Sequence, residues 1–132
     1  LVNWYVNVGG DLLVSGTPIT GGRWRIGLAD PNVAGQVRAT VEVESGAVAT
    51  SGTAERGAHL WDRRNGAVAE GFASLTVLGP SLTWADAFAT TVFVMGNDGL
   101  SWLEGFETYH AVGIRHDGTL VTTSALAGMV GG

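Results

Sequence analysis

The residues best suited to chemistry are Asp86 and Thr90, four positions apart in a segment of helical periodicity. Residues at i and i+4 share a helix face, so a carboxylate and a hydroxyl oxygen can reach one cation. Mg²⁺ favours oxygen ligands and often takes one or two protein groups with water and phosphate oxygens. The spacing also fits capping, with Thr83 as N-cap, Asp86 at the third position and Thr90 bonded back to the helix backbone. The residues alone leave both interpretations open.

A second candidate is His59, which opens the polar run His59-Leu60-Trp61-Asp62-Arg63-Arg64-Asn65-Gly66. A histidine on a loop, with an ordinary pKa near 6.5, suits general base catalysis. Asp62 could orient the imidazole or anchor the loop, and Asn65-Gly66 is typical of a turn. A loop histidine that only bonds to backbone is the alternative, and it stays open.

Two groups of small residues could approach a ligand closely. Gly9-Gly10-Asp11 follows a predicted strand, as a phosphate loop would, but it lacks the spacing of a dinucleotide fingerprint or P-loop and also fits a hairpin turn. Ala49-Thr50-Ser51-Gly52 is typical of a strand end that admits a ligand or another backbone. No Asp/His relay lies near Ser51 in sequence, so we do not expect it to be a nucleophile.

The elements that must position these residues are mostly β-strands. Alternation and turn residues predict strands at 2–8, 11–15, 23–28, 37–44 and 74–78, and a hairpin of 109–115 with 119–123. Residues 45–71 are mostly small and polar, which predicts strand ends joined by loops. Residues from about 83 to 95 read as a helix that is apolar on nearly all sides and ends at Gly96, and a short helix follows at 100–105. The predicted fold is α+β, a mainly antiparallel sheet with one buried helix (about 83–95).

Composition limits the classes of function. The 132 residues suffice for one domain, predicted at 1–124 with a disordered tail at 125–132. The net charge of −5 argues against general affinity for nucleic acid or anionic membranes. No apolar run approaches the roughly 20 residues that span a bilayer. The absence of cysteine excludes disulfides and thiolate metal sites.

Five motifs follow one another in a recognisable order. They are Asn7-Val8-Gly9-Gly10-Asp11, Trp24-Arg25-Ile26-Gly27-Leu28-Ala29-Asp30-Pro31, Gly46-Ala47-Val48-Ala49-Thr50-Ser51-Gly52, His59-x-x-Asp62 and Ala85-Asp86-Ala87-Phe88-Ala89-Thr90. Each motif is weak by itself, but the ordered set is specific. From about residue 1 to 124 the chain resembles the C-terminal part of the ApbE family, the FAD:protein FMN transferases.

The resemblance implies an enzyme that uses Mg²⁺ to split FAD and to transfer FMN to a threonine of an acceptor flavoprotein. It implies that Asp86 and Thr90 bind the metal and that His59 helps to activate the acceptor hydroxyl. It also implies that FAD contacts residues of the small-residue motifs, namely Gly9, Gly10, Ser51 and Gly52.

The sequence departs from the family pattern in two respects. The family's Asp-Pro-x-Thr-Gly becomes Asp62-Arg63-Arg64-Asn65-Gly66, which loses a proline and a threonine. A flavin-binding protein without transferase activity, or an FAD pyrophosphatase, therefore remains an alternative. The family's region before the Asn-x-Gly-Gly-Asp motif is also absent, so we expect an N-terminal part of the same enzyme as a partner and weak FAD binding without it. The resemblance implies an extracytoplasmic location, while the residues leave the cytoplasm open.

Overall fold

The computed structural model describes residues 3–6, 11–14, 24–43, 46–52, 61–62, 67–68 and 72–126. Within these residues the chain forms strands, two helices and a short 3-10 turn. In chain order they are β1 (Asn3–Val6), β2 (Asp11–Val14), β3 (Trp24–Ala29), β4 (Val37–Val43), β5 (Gly46–Gly52), β6 (Trp61–Asp62), β7 (Ala67–Val68), β8 (Ser74–Gly79), α1 (Leu82–Met95), α2 (Asn97–Leu103), β9 (His110–Ile114), β10 (Leu120–Thr122) and the 3-10 turn (Ser124–Leu126).

The strands assemble into sheets that are mostly antiparallel. The largest sheet has the order β10-β9-β8-β5-β2, and every neighbouring pair in it is antiparallel. A second sheet has the order β1-β3-β4, in which β1 and β3 run parallel. The architecture confirms the predicted α+β class with its mainly antiparallel sheet.

The five-stranded sheet lies between the helices and the three-stranded sheet. Ala47 and Ala49 of β5 belong to the core cluster that contains the buried face of α1. Val48, between them, belongs to a second cluster with Ile26 and Val41 of the three-stranded sheet. Successive side chains of a strand point to opposite faces, so β5 is covered on both sides.

Strand β5 differs from what the sequence predicts for this region. Residues 45–71 were expected to be strand ends joined by loops, yet Gly46–Gly52 form one continuous strand that pairs with both β2 and β8. A strand covered on both faces has no polar side to alternate with its apolar side, so the period-2 pattern is lost. Strands β6 and β7 pair with each other in an antiparallel ladder, as a turn at Asn65-Gly66 would require, although the turn itself lies outside the described residues.

Helix α1 matches its predicted span closely, but it buries only one face. It ends at Gly96, whose φ of 71° and ψ of −143° form a backbone conformation that favours glycine. The buried side chains are Ala85, Phe88, Ala89, Val92 and Phe93. Trp84 remains 58% exposed, and its ring lies 5.8 Å from that of Phe88, which in turn contacts Trp102 of α2. Trp84 thus adds an exposed ring to an aromatic contact between the two helices. The sequence predicts the second helix at 100–105, whereas the structure places it at Asn97–Leu103.

The C-terminal segment forms the predicted hairpin. Asp117 accepts a hydrogen bond from the Thr119 backbone N–H at 2.9 Å, and Gly118 has a φ of 89°. Two residues beyond 124, Leu126 ends the 3-10 turn and is only 9% exposed. In the part of the chain that the structure describes, neither helix is long and apolar enough to cross a membrane.

Candidate functional site

The residue that caps α1 determines whether Asp86 can take part in helix capping. Ser81 has extended backbone angles, φ −119° and ψ 126°, and its Oγ accepts a hydrogen bond from the Trp84 N–H at 3.4 Å. Ser81 is therefore the N-cap, and the prediction that Thr83 caps the helix was wrong. Asp86 consequently lies beyond the first turn, where a carboxylate cannot complete a capping box.

The Asp86 side chain points into solvent. It is exposed, and its carboxylate forms no hydrogen bond or ion pair with another residue among those the structure describes. One turn further along α1, Thr90 is half-buried. The i, i+4 spacing therefore places one carboxylate and one hydroxyl on the same flank of the helix.

Thr90 is joined to the central strand by a hydroxyl–hydroxyl contact. Its Oγ1 lies 3.2 Å from Oγ of Ser51, and either oxygen can be the donor. Ser51 is only 2% exposed. The structure thus brings together two predicted site residues that are 39 positions apart in the sequence.

The small residues of β5 allow this contact. Ala47, Ala49 and Ser51 alternate along one face of the strand, and the two alanines pack under α1. Side chains this small let a helix approach the sheet closely. Thr50 points to the opposite face, where its hydroxyl lies 2.9 Å from that of Thr76 on β8. The polar residues of β5 therefore serve two different layers.

Asp11 lies on the same face of the sheet as Ser51, a placement that the sequence analysis did not predict. It was treated only as part of the Gly9-Gly10-Asp11 motif, but the register pairs it with Ala49. Cross-strand partners share a sheet face, so Asp11 lies on the face that α1 covers, diagonal to Ser51. Its side chain is exposed. Only the pairing of β2 with β5 reveals this second carboxylate.

The oxygen atoms of Asp86 and Thr90 are suited to a magnesium ion whose remaining ligands are water and phosphate oxygens. Among the described residues, no three His, Asp or Glu side chains form a metal-binding group. Asp86 and Thr90 instead offer one charged and one neutral oxygen at the boundary between core and solvent. Mg²⁺ commonly binds through one or two protein oxygens and keeps water or phosphate oxygens in its remaining positions.

Of the other predicted site residues, Gly52 lies among the described residues. Gly52 is buried at the end of β5, next to Ser51, and pairs with Ser74 of β8. Gly9, Gly10 and His59 lie outside the described residues. Their roles stay predictions.

The family model of the ApbE family matches residues 1–112. The chain belongs to the ApbE family. It is 31% identical over 137 aligned residues to a protein of Haemophilus influenzae named FAD:protein FMN transferase. The alignment covers 95% of this chain and 40% of that relative. The chain thus spans about two fifths of the length of the relative that it matches.

Solved ApbE structures share the fold. The ApbE protein of Thermotoga maritima has a TM-score of 0.73 and 30% identity, over 92% of this chain and 42% of that one. The flavin transferase ApbE of Vibrio cholerae has a TM-score of 0.63 and 26% identity, over 93% of this chain and 43% of that one. These ApbE likenesses confirm the resemblance seen in the motifs and the predicted fold.

Proposed function

We propose that this chain carries the metal-binding part of an enzyme that transfers FMN from FAD to a threonine of an acceptor flavoprotein. The observation that carries the proposal is the placement of Asp86 and Thr90 on one flank of α1, with Thr90 fixed against Ser51. Membership of the ApbE family supplies the reaction, because a relative at 31% identity is named FAD:protein FMN transferase.

The reaction is a phosphoryl transfer. The threonine oxygen of the acceptor forms a bond to the FMN phosphorus, while the bond from that phosphorus to the bridging oxygen breaks and AMP leaves. The acceptor hydroxyl loses its proton, and AMP leaves with the electrons of the broken bond. Such reactions depend on in-line positioning and on neutralising charge more than on covalent catalysis.

The residues of this chain divide these tasks. Asp86 and Thr90 would hold Mg²⁺, and the bound ion would neutralise charge on the pyrophosphate. His59 would accept the proton of the acceptor threonine. Gly9, Gly10, Ser51 and Gly52 would line the path of FAD, because small residues let the backbone approach a phosphate closely.

A chimaera tests the proposal directly. The 132 residues replace the matching segment of the Haemophilus influenzae relative, and the protein is incubated with FAD, Mg²⁺ and a threonine-containing acceptor. We expect mass spectrometry to show covalent FMN on the acceptor together with free AMP. Free AMP without labelled acceptor would indicate a pyrophosphatase, and neither product would indicate flavin binding alone.

The variant Asp86→Ala in the chimaera tests the metal site. Losing a ligand that anchors a charge-neutralising ion removes several kcal/mol of transition-state stabilisation, so we expect transfer to fall about 100-fold or more. Asp98→Ala is the matched control, because Asp98 is also an exposed helical aspartate but lies on α2. Equal transfer by the Asp86→Ala chimaera and its parent would remove Asp86 from the site.

A further inference from the structure

The contact between β5 and α1 gives the buried Ser51 a role of its own. We propose that Ser51 is a positioning residue, whose hydroxyl holds the Thr90 hydroxyl in the orientation that presents its oxygen, beside Asp86, to a divalent cation. This inference rests on the proposed function, because it requires a cation at Asp86 and Thr90. It goes further by assigning the Ser51 side chain to Thr90 rather than to the flavin.

Helical threonines need such a constraint. A threonine in a helix divides between two χ1 rotamers, because its Oγ1 can also bond to a backbone carbonyl one turn earlier. Thr91 does this, since its Oγ1 donates to the Ala87 carbonyl at 2.8 Å. Thr90 has a hydroxyl from another element 3.2 Å away. A partner on the strand favours the rotamer that points toward it.

The contact with Ser51 leaves Thr90 able to bind a cation. A hydroxyl has one proton and two acceptor lone pairs. If Thr90 donates to Ser51, this contact uses neither lone pair, and if Ser51 donates to Thr90, it uses one. In either arrangement the contact with Ser51 itself leaves at least one acceptor lone pair of Thr90 outside it.

Burial places Ser51 behind the cation site rather than in it. Ser51 is 2% exposed, Thr90 is half-buried and Asp86 is exposed. A magnesium ion usually keeps several waters and needs open space around it, which exists on the Asp86 side and not around Ser51. Ser51 pairs with Leu75 in the ladder between β5 and β8, so its backbone is held within the sheet. Residues that orient a metal ligand from behind typically change metal affinity 10–100-fold when they are replaced.

The test is a titration of the full 132-residue chain with Mn²⁺, used in place of Mg²⁺ and followed by electron paramagnetic resonance. We expect Ser51→Ala to weaken Mn²⁺ binding about 10-fold. Thr50→Val is the matched control, because it also breaks a buried hydroxyl pair of β5, but on the opposite face of the sheet. We expect it to lower the thermal midpoint without changing Mn²⁺ affinity.

Two further readouts separate positioning from general loosening of the structure. In a Thr90→Val background we expect Ser51→Ala to cause no additional loss of Mn²⁺ affinity, because its partner is already gone. In the metal-free chain, methyl NMR of Thr90 should show χ1 averaging in Ser51→Ala and a single rotamer in wild type and Thr50→Val.

The outcomes distinguish the two proposals. Mn²⁺ binding that is equal in wild type and Ser51→Ala overturns the role of Ser51 and leaves the proposed function standing, and so does an unchanged Thr90 rotamer in Ser51→Ala. Absence of Mn²⁺ binding by the wild-type chain contradicts the metal site of the proposed function and, with it, the role of Ser51.

Discussion

Two consecutive threonines on α1 differ in the groups that their hydroxyls contact. Thr91 is exposed, and its Oγ1 is bonded to the helix's own backbone at Ala87. Thr90 is rotated by one residue toward the sheet, which brings its Oγ1 to Ser51 on the same flank as Asp86. The two hydroxyls are chemically identical, so only their placement separates a candidate ligand from a solvated threonine.

This difference gives a prediction at the residue scale. Thr90→Val keeps the shape of the side chain but removes its oxygen, so we expect Mn²⁺ affinity to fall about 10-fold or more, as Asp86 is left without its neighbouring ligand. Thr91→Val removes the same atom one residue away and should leave the affinity unchanged. Parallel Mn²⁺ titrations of the two variants check this, and equal affinities would exclude Thr90 as a ligand.

At the scale of elements, the N-terminus of α1 depends on the side chain of Ser81. Its Oγ satisfies the Trp84 N–H, which otherwise has no partner within the helix. Thr83, the cap that the sequence predicts, is exposed inside the first turn. Capping also fixes where α1 begins and therefore which residues reach β5.

We expect Ser81→Ala to lower the free energy of unfolding by about 1 kcal/mol, the usual cost of losing a serine N-cap. Thr83→Ala should change it by less than about 0.5 kcal/mol, as for other exposed positions without a special contact. Urea unfolding followed by far-UV circular dichroism measures both variants. The reverse order of effects would show that the helix begins at Thr83 in solution.

A second element-scale prediction concerns the middle of β9. A Cβ on Gly113 would lie 2.5 Å from the ring of Phe72, which is fully buried and cannot move away freely. We therefore expect Gly113→Ala to destabilise the fold by about 1–3 kcal/mol through overpacking.

Gly105→Ala is the control for that substitution, because its nearest neighbour would be the Trp102 carbonyl oxygen at 3.4 Å, close to an ordinary contact. Thermal unfolding of the two variants tests the expectation. A Gly113→Ala protein as stable as Gly105→Ala would mean that Phe72 is not held as the structure shows.

At the scale of the whole molecule, hydrogen-bonded carboxylates tie the last elements together. Glu104, at the end of α2, accepts hydrogen bonds from the Ser124 hydroxyl at 2.7 Å and from its backbone N–H at 2.8 Å. These bonds lower the pKa of Glu104 below its ordinary value, and the hydroxyl and N–H of Thr119 lower the pKa of Asp117 in the same way. The α2 end and the closing hairpin therefore share a dependence on ionised carboxylates.

The sign of the pH effect follows from these directions. A carboxyl whose pKa is lower in the folded state stabilises the fold above its unfolded pKa and loses that contribution as the pH falls through the folded pKa. We expect the thermal midpoint to decline as the pH is lowered below about 4.5, and the decline to be shallower in Glu104→Gln. Glu107→Gln, which removes an exposed carboxylate nearby, is the control and should follow the wild type. Parallel curves for all three proteins would contradict the contribution of Glu104.

The class of fold, the family and the span of α1 can all be inferred from the amino-acid sequence. Helical spacing, a terminal glycine and the hairpin at Asp117-Gly118 are local features. They depend only on residues that are close together in the sequence, so the sequence alone predicts them. The ordered motifs likewise indicated the ApbE family, to which the chain belongs. The pairing of Asp86 with Thr90 also followed from spacing along one helix.

The surroundings of that pair depend on contacts between elements that lie far apart in the sequence. Strand β5 was not recognisable, because burial on both faces removes the alternation that marks a strand. The contact between Ser51 and Thr90 joins residues 39 positions apart, and Asp11 reaches the same face only through its register with Ala49. The cap at Ser81 depends on backbone angles that the sequence does not fix when serine and threonine are both present. Such relations are set by packing between elements, which no local pattern encodes.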